Sequence, residues 1–508
     1  MVESTATALP LERAVVVIGA GTMGAGIAEV AATAGHPVYL CDTSDAALDR
    51  GRAQIRASLD KRIAKAKITR EQGEAIYARV TPAGSATALE RVGLVIEAIV
   101  ENLDIKTAAL RDIAARVDDD AILSTNTSSL SVTALASRLP RPERVVGMHF
   151  FNPATILPLV EVVRGQASDP QIVQTIVATA RAWKKVPVVC QSTPGFIVNR
   201  VARPFYGEAL RLLLEQHAAP ETLDAVMREC GGFRMGPCEL MDLIGHDVNF
   251  AVTRSVWEGF FHDPRYQPSL VQKQLVDAGW LGRKSGRGFF AYGDDQTRPA
   301  TDDLQGTTTT RVTVEGDLGP AEALAALVAE AGIPLERIDG NGVLRVDGLA
   351  LALTDGRSAA VRAQALGEPV VLFDLALDYR TSTRIALAGA LDVTQAQLDM
   401  AAGLFTALGK KVSVLGDAAG LVVSRTVAML VNEAADAVQQ GIASEADVDA
   451  AMTGGVNYPI GPLAWGRKVQ LPYVTDVLGH LSDAYGEDRY RVSPWLQART
   501  QAGAVAHG

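Results

Sequence analysis

The sequence predicts an α/β domain with a parallel sheet, an all-α domain, a degenerate α/β segment and a second all-α copy, in that order. Three observations predict it. From Arg13 to about Gln191, β-branched runs alternate with Ala-rich stretches of helical period. Strand patterns vanish after Thr193. PGFIVNR (194–200) then returns as AGLVVSR (419–425). At ~150 residues per domain, 508 residues fit three or four domains. The pattern places them at 1–192, 193–294, 295–415 and 416–508.

In order along the chain, AVVVI (14–18), PVYLC (37–41), GLVIEA (93–98), AILST (121–125), RVVGMHF (144–150) and VPVVC (186–190) read as strands. Helical stretches separate them, which is how a parallel sheet with helices on both faces is written. From Thr193 to about Gly293, helical patterns broken by Gly-Pro pairs take over. The repeat extends beyond the two heptapeptides. At their 225 offset Glu208 matches Glu433, Asp224 matches Asp449, Met227 matches Met452, and Gly236-Pro237 matches Gly461-Pro462. No gap is needed, so a small helical domain has been duplicated. Between the copies, DDQTRPATDDLQGTTTT (294–310) reads as a polar linker. RVTVEGDLGPAEALAALVAEAG (311–332) has the rhythm strand, Gly-containing turn, helix, and EPVVLFDLAL (368–377) reads as a strand. ALGKKVSVLGDAAGLVVSR (407–425) echoes ARAWKKVPVVCQSTPGFIVNR (180–200). Residues 295–415 are therefore expected to form a shortened α/β domain without a nucleotide fingerprint, structural in role.

Composition narrows the function. Lys+Arg 48 against Asp+Glu 58 leaves a net charge of −10, which argues against nucleic acid as a partner. Hydrophobic residues at 48% exclude a largely disordered chain. Four scattered cysteines make neither a disulfide framework nor a CxxC metal site, so no metal is expected. No long uncharged apolar run and no signal-peptide pattern occur, which leads us to expect a cytoplasmic protein without a membrane segment.

Gly19-Ala20-Gly21-Thr22-Met23-Gly24 fits GxGxxG between a strand and a helix. The first glycine permits the tight turn, the second admits a pyrophosphate, and the third lets helix and strand pack closely. The second strand ends at Asp42, as far beyond Gly24 as the fingerprint places its acid. A carboxylate there accepts from the ribose hydroxyls and repels a 2′-phosphate, and Thr43 and Ser44 bring no arginine. The expectation is a Rossmann domain that binds NAD rather than NADP.

Two later strands end in polar loops. Ser124-Thr125-Asn126-Thr127-Ser128-Ser129 is one; His149-Phe150-Phe151-Asn152-Pro153, followed by LVEVV with Glu161, is the other. Ligands of open α/β sheets lie outside such strand ends. Oxidising an alcohol requires a base for the hydroxyl proton, and neutral imidazole suits the task. Glu161 could hold its other nitrogen. On residues alone, His149 reads equally well as a hydrogen-bonded strand-end histidine.

VVVIGAGTMGAGIAEV, VIEAIVENLDIK, STNTSSLSVT, GMHFFNPATILPLVEVV and TPGFIVNR, in this order, closely resemble the L-3-hydroxyacyl-CoA dehydrogenase family over residues 13 to about 292. The Gly-Pro repeat at 419–466 resembles a second copy of that family's C-terminal domain. Chains with two copies look like the form that acts on 3-hydroxyadipyl-CoA in bacterial aromatic-acid (phenylacetate) degradation; 3-hydroxybutyryl-CoA is the other acyl substrate implied. The resemblance implies His149 as catalytic base, Glu161 as its orienting partner, Ser128 on the substrate oxygen and Asn199 completing the site. It implies NAD contacts at Gly19, Gly21, Thr22, Met23, Gly24, Asp42, Glu97, Asn102, Ser128 and Asn152. Lys284 in GRKSGRGFF either closes over the cofactor or is a solvated loop cation.

RASLDKRIAKAKITR (56–70) is a basic helix in an acidic protein. Such runs are usually solvated faces, but CoA phosphates need Lys and Arg. Ser58 and Lys65 match the family's CoA-contacting positions, with Lys61 beside them. In the second copy Asn199 becomes Ser424, and no His149-like loop precedes it. One site per chain is expected, the partner being an acyl-CoA, with a homodimer through the helical domains possible. A carboxylate-ended acyl chain would need a cation, and Arg200, Arg203, Arg234 and Arg283 are all candidates. Two other functions remain open at this point: a dehydrogenase of a small non-CoA hydroxy acid, and a non-catalytic NADH-binding protein.

Overall fold

The computed structural model describes residues 7–84, 87–293, 297 and 299–506. The opening residues 1–6, and 294–296 and 298 of the expected linker, lie outside the described residues. The chain forms two compact units: residues 1–199 with 440–456, and 200–439 with 457–508.

The first unit is built on eight strands: β1 Ala14–Ile18, β2 Val38–Cys41, β3 Val80–Ala83, β4 Val92–Glu97, β5 Ile122–Thr125, β6 Val145–Phe150, β7 Leu159–Arg164 and β8 Val186–Gln191. Their order is β3-β2-β1-β4-β5-β6-β7-β8. β4 is buried along its whole length, as a central strand covered on both faces must be. Val15, Val17, Leu40, Leu94, Ile96, Val146 and Val160 pack in one core with Ile27, Leu59 and Ile176 from the helices. The strands run parallel from β3 to β6, but β7 pairs antiparallel with β6. The parallel sheet expected from sequence is thus mixed, because the short loop 151–158 joins β6 to β7 where a parallel crossover needs a dozen residues or more. β3 was not foreseen: VTPA carries a proline and forms an edge.

Residues 440–456 complete this unit. Gln191 donates from its backbone N–H to Ile442 O and from Nε2 to Gly441 O, at 2.9 and 2.8 Å. The helix Glu445–Val456 then packs on β7 and β8. A Cβ on Gly455 would stand 2.6 Å from Leu159 Cδ2, so any larger residue there would force that side chain to shift.

The second unit holds a seven-stranded sheet: β9 Val312–Glu315, β10 Leu335–Ile338, β11 Val343–Val346, β12 Leu349–Leu353, β13 Val370–Phe373, β14 Arg384–Gly389 and β15 Lys411–Val414, in the order β10-β9-β11-β12-β13-β14-β15. The β11–β12 hairpin escaped the sequence reading although Asp347-Gly348, at φ 48° and 96°, is the dipeptide that turns such hairpins. The 225 offset reaches further back than the sequence shows. β7 (159–164) corresponds to β14 (384–389), and the helix Pro170–Ala182 to Gln395–Ala407.

The helical copies meet in this unit through two reciprocal buried clusters. Glu208 accepts from Arg425, Arg489 and Tyr490 at 2.9–3.1 Å. Its repeat-mate Glu433 accepts from Arg200, Arg265 and Tyr266 at 2.5, 3.3 and 2.6 Å. Burial pushes both carboxyls up, but the arginines outweigh it and hold them below the usual carboxylate range. Among the described residues no helix is long and apolar enough to cross a membrane.

Candidate active site

The nucleotide loop follows β1. Gly19 has φ 103°, and a Cβ there would lie 2.5 Å from Ala98 O; one on Gly24 would lie 1.8 Å from Gly19 O. Both positions must be glycine for β1, β4 and the helix Thr22–Ala34 to meet. A Cβ on Gly21 would meet nothing within 4 Å, so the middle glycine faces open space. The helix carries no side-chain cap and no acidic residue in its first turn, leaving its N–H groups and positive end available to an anion. Asp42 is fixed at the tip of β2, with Oδ2 accepting from Ala20 N at 2.9 Å and Oδ1 from Ser44 N at 3.1 Å. This cradle fits a dinucleotide: pyrophosphate over Gly21, Thr22 and Met23 at the helix start, ribose at Asp42.

The serine loop after β5 is organised by an acid that the sequence reading missed. Glu101 Oε1 accepts from Thr127 Oγ1, Ser128 N, Ser129 N and Ser129 Oγ at 2.5–3.1 Å. Lys106 pairs with Glu101 at 3.1 Å and with Glu97 at 2.7 Å. Burial would push the Glu101 carboxyl up, but Lys106 and the hydroxyls of Thr127 and Ser129 hold it below the usual range. Ser128 is left half-buried with its hydroxyl unclaimed among the described residues.

One expected cofactor contact needs correction, and a second has a further task. Glu97 is fully buried, and its oxygens take Lys106, Ile99 N and Thr125 Oγ1, so it faces the interior rather than a cofactor. Asn102 caps the helix Leu103–Ala114, accepting from Asp104 N and Ile105 N.

His149 and Glu161 face each other across the β6–β7 pair, with His149 Nδ1 2.7 Å from Glu161 Oε2. A carboxylate only accepts, so Nδ1 carries the proton and Nε2 presents a lone pair. The other Glu161 oxygen accepts from Ile197 N and Val198 N, both at 2.9 Å. One carboxylate therefore fixes the imidazole and the segment that presents the half-buried Asn199. Asn126 Oδ1 accepts from Phe150 N at 2.8 Å and locks the serine loop to the histidine strand. Rings of Phe151 and Phe196 pack on the imidazole.

Beside this cluster runs a groove of about 240 Å³ lined by Thr22, Gly26, Gln54, Ser58, Asn152 and Thr155. Ser58, Lys61 and Lys65 fall on one face at i, i+3 and i+7, from the helix Asp45–Ala64 into its C-cap. Arg56 is paired with Glu74 and Arg62 with Glu29, whereas Lys61 and Lys65 are exposed without an acidic partner among the described residues. Lys284 lies in the second unit, ion-paired with Asp247 at 2.5 Å. Arg200 is buried on Glu433 and Arg283 is paired with Glu239, which leaves both occupied by acids. No group of three metal-ligating side chains stands together among the described residues.

The sequence signal for Glu101 and Lys106 was present in VIEAIVENLDIK. The motif contains both glutamates, Glu97 and Glu101, and only their directions separate the buried one from the loop organiser.

Comparison with known proteins settles the family. Residues 14–193 match the model for the 3-hydroxyacyl-CoA dehydrogenase NAD binding domain. Residues 195–292 and again 420–507 match its C-terminal domain. The chain belongs to the 3-hydroxyacyl-CoA dehydrogenase family. Residues 351–418 match the 3-hydroxybutyryl-CoA dehydrogenase reduced Rossmann-fold domain, in agreement with the degenerate α/β segment expected between the copies. The 3-hydroxyadipyl-CoA dehydrogenase of Escherichia coli K12 is 43% identical over 96% of this chain and 97% of its own. A crystal structure of 3-hydroxybutyryl-CoA dehydrogenase from E. coli K12 is 42% identical with a TM-score of 0.90, covering 98% of this chain and 100% of that one. The (S)-3-hydroxybutyryl-CoA dehydrogenase of Ralstonia eutropha is 39% identical with a TM-score of 0.54, matching 56% of this chain and 100% of its own. As a member of this family the chain is an NAD-dependent oxidoreductase of 3-hydroxyacyl-CoA.

Proposed function

We propose that His149 is the base in the reversible oxidation of an (S)-3-hydroxyacyl-CoA to the 3-oxoacyl-CoA, at a single site in the first half of the chain. The glycine cradle and Asp42 would hold NAD, which would supply the acceptor for the hydride leaving C3. The O–H proton passes to Nε2 of His149, leaving a carbonyl at C3 and an imidazolium whose Nδ1–H stays on Glu161. Ser128 and Asn199 bind and orient the reacting oxygen. Gly19, Gly21, Thr22, Met23, Gly24 and Asp42 hold the cofactor, with Asn152 beside them, and Lys284 matches the family's cofactor-loop lysine. The groove takes the pantetheine arm, and Ser58, Lys61 and Lys65 take the CoA phosphates. The acyl chain is 3-hydroxyadipyl or 3-hydroxybutyryl, following the names of the relatives. The division at 1–192, 193–294, 295–415 and 416–508 describes descent, with the second helical copy packed inside the chain as a partner would be. The reciprocal Glu208 and Glu433 clusters support that reading; a homodimer would use another face. We place the enzyme in the cytoplasm.

The observation that carries the proposal is the 2.7 Å His149–Glu161 pair beside the glycine cradle. His149→Gln should leave NADH affinity, read by fluorescence titration, unchanged while kcat for acetoacetyl-CoA reduction falls about 10²–10⁴-fold. Turnover near that of the unsubstituted enzyme would refute the assignment. Reduction of free acetoacetate as fast as its thioester would overturn the CoA roles.

A further inference from the structure

We infer that Lys185 is a positioning residue of the substrate groove, acting through the loop that joins the histidine strand to the glutamate strand. The inference rests on the reading of that groove as the acyl-CoA site. Loop 151–158 leaves β6 just after His149 and enters β7 just before Glu161. Its residues Asn152, Pro153, Ala154 and Thr155 form one wall of the groove, opposite Gln54 and Ser58. Within the loop, Ile156 N and Leu157 N both donate to Pro153 O. Across it, Lys185 Nζ donates to Ala154 O at 2.5 Å and to Leu157 O at 2.9 Å. A single half-buried ammonium thus ties a carbonyl within the wall to one just beyond it, and burial lowers its pKa with no carboxylate in compensation.

The second half repeats the device. Lys410, the repeat-mate of Lys185, donates from Nζ to Tyr379 O and Ser382 O at 2.5 and 2.7 Å, and these are the repeat-mates of Ala154 and Leu157. Each lysine follows a residue of positive φ, Lys184 at 58° and Gly409 at 74°. The clamp recurs in the second half, where Asp374 stands at the position of His149. In the first half the same clamp holds a wall that the pantetheine arm must pass. His149 is held independently, by Glu161 and through Asn126, so loss of the clamp should reach binding before it reaches proton transfer.

The two lysines form an internal control. In the full chain, Lys185→Met and Lys410→Met should lower Tm comparably, because each leaves two carbonyls without their donor. Only Lys185→Met should raise KM for acetoacetyl-CoA, about tenfold, with kcat changed less than about threefold. Lys185→Arg should return KM to within about threefold of the unsubstituted enzyme. If Lys185→Met does not fold, Lys185→Gln, which keeps a shorter, neutral N–H donor group, should raise KM about threefold. An unchanged KM in the Lys185 variants, or an equal rise in Lys410→Met, overturns the inference while leaving the acyl-CoA reading intact. Failure of the unsubstituted chain to turn over either acetoacetyl-CoA or 3-oxoadipyl-CoA brings down that reading and the inference together.

Discussion

Strands β6 and β7 of the first half and β13 and β14 of the second carry corresponding positions at the repeat offset, and two of the differences between them fall on His149 and Glu161. Glu161 pairs in register with Val188, and its repeat-mate Ala386 pairs with Ser413. The position of His149 is taken by Asp374, whose backbone N–H donates to Ala386 O. Asp374 accepts from Val422 N, Val423 N and Ser424 N at 2.8–3.0 Å, the counterparts of Ile197, Val198 and Asn199. Both halves therefore keep a carboxylate on the N–H groups that open the first long helical segment, supplied from opposite strands. That acceptor is common to both halves; the imidazole is found in the first alone. The helical copies differ too. Val248 is exposed, whereas its repeat-mate Tyr473 is half-buried, bonded to Ser424 Oγ and donating to Thr354 O, both at 2.8 Å. The pairing of Leu123 with Val145 corresponds to that of Ala350 with Val370, which sets Asp355 where Ser128 stands in the first half. Asp355 is paired with Arg357 and Arg362.

The largest test of this kinship is at the reciprocal clusters. Glu433→Ala leaves Arg200 and Arg265 buried beside an empty acceptor and should cost about 3–5 kcal/mol in urea unfolding, with Glu208→Ala close to it. A large asymmetry between the two would break the equivalence of the copies.

Asp374→Asn comes next and should leave kcat unchanged. Burial pushes this carboxyl up to about 6, against the backbone donors that lower it. An acid whose pKa is raised on folding from 3.8 to about 6 binds its proton more tightly in the native state. Its favourable contribution is therefore complete below pH 3.8, lost as pH rises towards 6, and constant above. The unsubstituted protein should lose about 3 kcal/mol relative to the neutral variant between pH 4 and 7. The opposite slope would show that the backbone donors outweigh burial. The smallest effect belongs to Tyr473→Phe, which removes two hydrogen bonds from the filled space and should cost about 1 kcal/mol without altering KM or kcat.

The catalytic half was legible because its parts are written in local signals. The three glycines mark a turn that only they can make, and a strand-end histidine shortly before a strand glutamate becomes a cross-strand pair once β6 and β7 are antiparallel. Directions were not legible. Glu97 and Glu101 differ by burial, which a motif does not encode, and Asn102 serves its own helix. Kinship of the sheets was hidden because LVEVVR and RIALAG share little beyond apolar character, while register survives any exchange that keeps it. The twin lysines stood in plain view as Lys185 and Lys410, but their meaning lies in carbonyls that every residue carries. Duplication of the helical domain was readable; the packing of Glu445–Val456 on the first sheet was not, since no residue pattern names its distant neighbour.

That last packing has a bearing on how the chain matures on the ribosome. The face of β7 and β8 that supports Glu161 is covered only when residues 440–456 arrive, long after β8 has been made. Domains made first ordinarily fold first. Here the first unit emerges early yet waits, with a flank bare, until residues 440–456 have been made, so activity in a nascent chain should switch on only after them.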